Sequence, residues 1–113
     1  MHSISHTGAD RRRHERLAVT RPCKIYHAGS ARYLSGYTRD LSASGALLEI
    51  DSPRPVNPDD ILDVLVAWND RALLHERDQI PARVTRVLRT DSPRQFVAVA
   101  FSQVQHAAIR AAA

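Results

Sequence analysis

Two short stretches carry residue types whose spacing can do chemistry: RRRHER at residues 11–16 and DLSASG at residues 40–45. In the first, Arg12 and Arg16 are the pair with R-x-x-x-R spacing, because Arg11 stands four places before Glu15 and Arg13 four before Leu17. Such a pair lies about 6 Å apart on one face of a helical turn, and up to about 14 Å apart in extended chain. Either arrangement lets two guanidiniums converge on one dianionic ligand, and without an anion between them that convergence is unfavourable. A basic run ahead of a domain is also simply a solvated segment, and the run by itself leaves both readings open. The second stretch sets a carboxylate, a hydroxyl and a glycine at D-x-S-x-x-G. Gly45 suits a backbone position of positive φ, as a tight turn requires. Asp40 and Ser42 either bond their own backbone within that turn or face a ligand.

The elements that must position these residues read as strands. Leu17, Val19, Cys23 and Ile25 share one parity of an extended chain, with Pro22 arguing against helix and for a bend or an edge. RYLSGYTRDL is aromatic and β-branched and reads as the antiparallel partner. In GALLEI, Ala46, Leu48 and Ile50 share a face, so residues 17–50 read as three strands. DSPRPVNPDD, with three prolines, is a loop. ILDVLVAW presents Leu62, Val64, Val66 and Trp68 on one face. ALLHER is ambiguous between a helical turn and a strand, whereas Ile80, Ala82 and Val84 alternate and Val87 falls out of phase, as after a bulge. QFVAVAFS is a further strand. VQHAAIRAAA has high helix propensity, with Val104 and Ile109 as an apolar pair able to cap one end of a barrel. The expected fold is all-β: a small six- to seven-stranded antiparallel barrel with a short C-terminal helix and a flexible N-terminal segment, divided into a disordered tail over 1–10 and a domain over 11–112.

Size and composition bound what this domain can be. The 113 residues, 43% of them apolar, are enough for one modest core. Of sixteen basic residues all but Lys24 are arginine, and twelve acidic residues leave a net charge of +4. Arginine's planar fork of donors suits phosphate oxygens and guanine edges, so the skew leans toward an anionic or nucleotide-like partner. Cys23 is the single cysteine, which excludes an intramolecular disulfide and a cysteine metal cluster. With no apolar stretch of membrane-spanning length and no export signal, the expected compartment is the cytoplasm. His2 and His6 have a metal-like spacing but no third ligand, and no metal or cofactor is expected. No Ser-His-Asp set or pair of catalytic carboxylates can be argued, so the chain reads as no enzyme.

Taken together, an R-x-x-x-R just before the first strand and a D-x-S-x-x-G at the turn from the second to the third resemble the PilZ family of cyclic di-GMP receptors. The resemblance covers residues 11 to about 110, with AVAF at 98–101 similar to the family's late G-x-x-F strand and Ala98 standing in place of the glycine. That departure is read as a matter of barrel packing rather than of ligand contact. The resemblance implies cyclic di-GMP as ligand, with Arg12 and Arg16 on a guanine edge and the phosphates. Asp40 would accept from the guanine Watson–Crick face, Ser42 would donate to a phosphate or base, and Gly45 would let backbone approach the ligand. Arg11, placed to influence how many ligand molecules bind, and Arg13 are additional ligand candidates. It further implies a stand-alone receptor that orders its arginine segment on binding and signals through an unidentified effector protein. Two alternatives stand beside it: an adaptor of the same fold that does not bind nucleotide, and a small barrel for single-stranded nucleic acid. Aromatic content of 5% is thin for the stacking platforms the last would need, so nucleic acid is not the expected partner.

Overall fold

The computed structural model describes residues 15–52, 54–66 and 79–105. Six strands run through them: β1 (Pro22–His27), β2 (Arg32–Ser42), β3 (Gly45–Asp51), β4 (Ile61–Val66), β5 (Ile80–Arg89) and β6 (Arg94–Phe101). All neighbours are antiparallel, and the order β1-β2-β3-β6-β5-β4 closes on itself through pairing of β1 with β4. Closure removes the exposed edges that a short sheet would otherwise offer to other chains. Pro22 therefore lies not on an edge but at the first position of β1, where its missing N–H breaks no ladder.

Alternation builds the core. Ile25, Leu48, Ile50, Leu62, Val64, Val84 and Val97 are completely buried inside the barrel, and their sequence neighbours face out. Cys23 belongs to this core, and burial pushes its thiol pKa up to about 12, so it packs as a neutral apolar group. The proline-rich loop after β3 plugs one barrel end. Val56 is fully buried there, and its amide donates to Gln95 Oε1 at 3.0 Å, while Gln95 Nε2 donates to Arg54 O at 2.9 Å. The buried glutamine thus satisfies backbone groups that the loop could not pair itself.

Two strands each carry one extra residue. Thr38 pairs with Leu48 and Asp40 with Leu47, which leaves Arg39 bulged from β2. Val84 pairs with Val99 and Arg86 with Ala98, which leaves Thr85 bulged from β5 and explains why Val87 falls out of phase.

The segment before β1 is part of the barrel wall. Leu17 forms a bridge with Leu41 through reciprocal backbone bonds of 2.7 and 2.8 Å. Between that bridge and β1 the regular ladder lapses, and Thr38 fills the gap from inside the core. Its hydroxyl donates to Val19 O at 2.7 Å and accepts from Arg21 N at 2.8 Å, while its own amide donates to Arg21 O at 2.8 Å. Leu17, Val19 and Arg21 of this segment are thus hydrogen-bonded to β2.

None of the described residues is helical. The expected C-terminal helix lies mostly outside them, and Val104, half exposed, does not close the barrel end. The expected tail over 1–10, Trp68 and the ambiguous ALLHER stretch also lie outside the described residues.

Thr38→Val keeps the shape of the side chain but strips both hydroxyl bonds at a fully buried position. It is expected to destabilise the fold by about 1–3 kcal/mol in urea unfolding, with the fluorescence of the folded state unchanged.

Candidate functional site

The Leu17–Leu41 bridge dictates which side chains meet. Leu41 is fully buried in the core, so Asp40 before it turns toward the outer face. Opposite pairing of 17 with 41 sets Arg16 diagonal to Asp40, a separation that a long side chain spans. Arg16 Nη1 lies 3.2 Å from Asp40 Oδ1 and 3.4 Å from Oδ2. A single nitrogen thus holds both carboxylate oxygens, and the remaining guanidinium donors of Arg16 make no contact with Asp40. The arginine side chain is 46% exposed and the aspartate 24%, so the pair is open to an incoming ligand and inexpensive to rearrange.

Ser42 and Gly45 close the hairpin beside this pair. The Ser42 hydroxyl accepts from the amides of Ser44 at 3.3 Å and Gly45 at 3.1 Å, while its proton has only Gly45 O or Ser44 Oγ, each at 3.3 Å. Its acceptor capacity is spent on the turn, and its donor is weakly engaged. Gly45 does not have positive φ, which corrects the sequence expectation. The glycine is required for a different reason: a Cβ there would collide with the carbonyl oxygen of Val99 on β6. Its missing side chain serves the approach of β3 to β6. The turn is held from behind as well, because Phe101 N donates to Ser44 O at 2.8 Å and Gln105 N to Ala43 O at 2.6 Å.

Of the residues named from sequence, the structure brings together Arg16, Asp40, Ser42 and Gly45. Arg11, Arg12 and Arg13 lie outside the described residues. Ala98 sits between buried Val97 and Val99, on the outer face of β6 opposite Leu47.

Sequence reasoning missed two charged clusters. On the outer face, Glu49 holds Arg39 at 3.4 Å and Arg94 at 3.1 Å. At the opposite end of the barrel, His27 Nε2 meets Asp60 Oδ2 at 2.9 Å and His27 Nδ1 meets Ser30 Oγ at 2.7 Å. This resembles a Ser-His-Asp set in composition, but it joins the β1–β2 hairpin to the loop before β4 and acts as a clasp. The amide of Asn57 donating to Asp60 lowers its carboxyl pKa; burial opposes this in part, and His27 adds to the lowering. Nothing in the spacing of 27, 30 and 60 signals their meeting, since closure of the barrel between β1 and β4 alone brings it about. A groove of about 660 Å³ on the outer face, lined by Tyr33, Tyr37, Glu49 and Arg94 among others, does not include Arg16 or Asp40. Among the described residues no cluster of three or more His, Cys, Asp or Glu is placed to hold a metal, and no helix is long and apolar enough to cross a membrane.

Comparison with known proteins follows this geometry. A family profile described as "PilZ domain" matches residues 10–112. No curated protein sequence matches the chain. Among solved structures, the PilZ domain of CeSA from a cellulose-synthesizing bacterium superposes with a TM-score of 0.59 at 17% identity, covering 87% of this chain and 90% of that one. The Bacillus subtilis inhibitor of motility MotI/DgrA gives 0.63 at 16% identity over 88% of this chain, which spans only 50% of that protein. The PilZ domain of YcgR from Escherichia coli, solved with c-di-GMP, gives 0.62 at 15% identity, covering 88% and 84%. At these identities the likeness is one of fold.

The two ion pairs are expected to behave differently in stability measurements. Asp40→Ala removes an exposed pair and shifts the unfolding free energy by less than about 1 kcal/mol, which separates any binding defect from misfolding. Asp60→Asn removes a carboxylate whose folded pKa is lowered, so its contribution is present above the ordinary carboxylate range and is lost as pH falls through the lowered value. The melting-temperature gap between wild type and Asp60→Asn is expected to be open at pH 7 and to close toward pH 3 (about one unit below the reference aspartate pKa); a gap that stays constant over that range contradicts the linkage.

Proposed function

Because the chain belongs to the PilZ family, whose domains are ligand-binding receptors rather than enzymes, we propose that it is a receptor for cyclic di-GMP that carries no catalytic activity of its own. The observation that supports this most directly is the Arg16–Asp40 pair, which sets a cation and an anion on one open face beside the hairpin turn. Guanine matches both partners. Its ring N–H and exocyclic amine are donors for the Asp40 carboxylate, and its O6 and N7 are adjacent acceptors for a guanidinium fork. Adenine lacks the first pair of donors, so Asp40 is the group that rejects it. The c-di-GMP carried by the Escherichia coli YcgR domain of the same fold agrees with this choice of ligand.

Arg16 swings from Asp40 onto the ligand, and Asp40, relieved of its internal partner, takes the guanine donors. Arg12, four residues earlier, closes over the phosphates, with Arg11 and Arg13 as further phosphate contacts. Ser42 keeps the turn in shape and offers its weakly held proton, and Gly45 keeps the hairpin close to β6. Ligand-driven ordering acts on the arginine segment ahead of Leu17, Val19 and Arg21, which are bonded to β2. That newly ordered arginine segment is the surface an effector protein reads, in the cytoplasm, where this nucleotide is a second messenger.

Titration calorimetry with cyclic di-GMP, cyclic di-AMP and a short oligonucleotide tests the proposal. Heat is expected from the first alone. Arg12→Ala and Arg16→Ala abolish it, and Asp40→Ala weakens binding about 10- to 100-fold, the loss of one charged hydrogen-bonding contact. Equal affinity for cyclic di-AMP refutes guanine recognition. Oligonucleotide binding that falls steeply with salt points to a nucleic-acid barrel instead, and silence with all three leaves a protein adaptor.

A further inference from the structure

A ligand with two guanines needs two places to bind, and the Arg16–Asp40 pair supplies one. The ladder extends the site in one direction. Asp40 pairs with Leu47, Leu47 with Ala98, and Ala98 with Arg86, so these four residues form a single row across β2, β3, β6 and β5. The two bulges of the barrel fall in this row's register, Arg39 just before Asp40 and Thr85 just before Arg86. Bulges re-aim the side chains that follow them. Here the fully buried Thr38 and Val84 precede the bulges, and Asp40 and Arg86 come out facing solvent after them.

Between these two banks the floor is low and apolar: Leu47 and Ala98, both part-exposed. Three inter-strand steps of about 4.8 Å put the banks ~14 Å apart along the backbone. Arg86 is also chemically available. Arg39 holds Glu49, Arg83 holds Asp59, and Arg94 holds Glu49 and Asp51. Among the described residues no carboxylate pairs with Arg86, although it is exposed on the same sheet. A guanidinium with no carboxylate partner among the described residues, across the apolar residues Leu47 and Ala98 from a guanine-reading carboxylate, is a second acceptor-reading group.

We propose that Arg86 takes the O6/N7 edge of the second guanine, with Leu47 and Ala98 as the bed on which the dinucleotide lies, an inference that rests on the cyclic di-GMP reading above. Ala98 then has a role on the ligand side: its single methyl keeps the bed low, where a larger side chain would lift the ligand off both banks.

Calorimetry with two ligands tests this on the intact chain: cyclic di-GMP, and the cyclic dinucleotide in which one guanine is replaced by adenine. In the mixed ligand the remaining guanine goes to Asp40, and adenine, with an amine where guanine has O6, faces Arg86. Wild type is expected to prefer cyclic di-GMP by about tenfold or more, the discrimination of a bidentate contact. Arg86→Ala weakens cyclic di-GMP by that factor, leaves the mixed ligand within about twofold and so erases the preference. Ala98→Leu weakens both. Arg32→Ala, at the opposite end of β2, changes neither, and melting temperatures confirm that all variants fold. Unchanged affinity of Arg86→Ala for cyclic di-GMP, or equal losses for the two ligands, overturns the assignment of Arg86 to the second guanine while leaving the receptor reading intact. Failure of the wild-type chain to bind cyclic di-GMP overturns both.

Discussion

One backbone bridge governs the candidate site. Leu17 and Leu41 exchange two short hydrogen bonds, Leu41 is buried in the core, and this pairing brings Arg16 and Asp40 together on the outer side. A slip of one residue in this pairing would turn Arg16 to the side that Leu17 now occupies and part it from Asp40. The ion pair itself is exposed and contributes little to stability. Its geometry is enforced by apolar burial and backbone pairing, which frees the charges to exchange partners.

Thr38 shows how the barrel tolerates an irregular wall at that place. The bulge at Arg39 interrupts regular pairing next to the lead-in segment, and a buried hydroxyl with both a donor and an acceptor partner bridges the interruption. An apolar residue there would leave Arg21 N and Val19 O without these bonds inside the protein, so the threonine belongs to the site's scaffold although it never faces the site. Gly45 belongs to the same scaffold. Its hydrogen in place of a side chain lets β3 run close against Val99, and this holds the hairpin turn near β6.

The charged surface divides by whether each group already has a partner. Glu49 is shared by Arg39 and Arg94, and Asp60 is held by the Asn57 amide and His27, so these clusters tie strands and loops together. The Arg16–Asp40 contact uses one nitrogen of the guanidinium, and Arg86 has no carboxylate on it among the described residues. Paired charges tie the barrel together, while Asp40 and Arg86 stand at the two ends of one row across it. In the groove at Tyr33 and Tyr37, Arg94 is bound to Glu49 and Asp51, and Lys24 lies over the Tyr33 ring.

The sequence by itself determined the strands, because period-two alternation in GALLEI, IPARV and QFVAVAF states which side chains must be buried, and barrel burial follows directly from that rule. It pointed to the meeting of the arginine run with the acidic turn through the resemblance of both motifs to the PilZ family, and Arg16 and Asp40 do meet. It misread Gly45, whose constraint comes from β6, more than fifty residues away. Only the tertiary structure decided that His27 meets Asp60, that Gln95 supports the proline-rich loop, and that Arg86 stands across Leu47 and Ala98 from Asp40. Those meetings depend on register across non-consecutive strands and on closure of the barrel. Register is set by the packing of the whole core, and no local spacing encodes it.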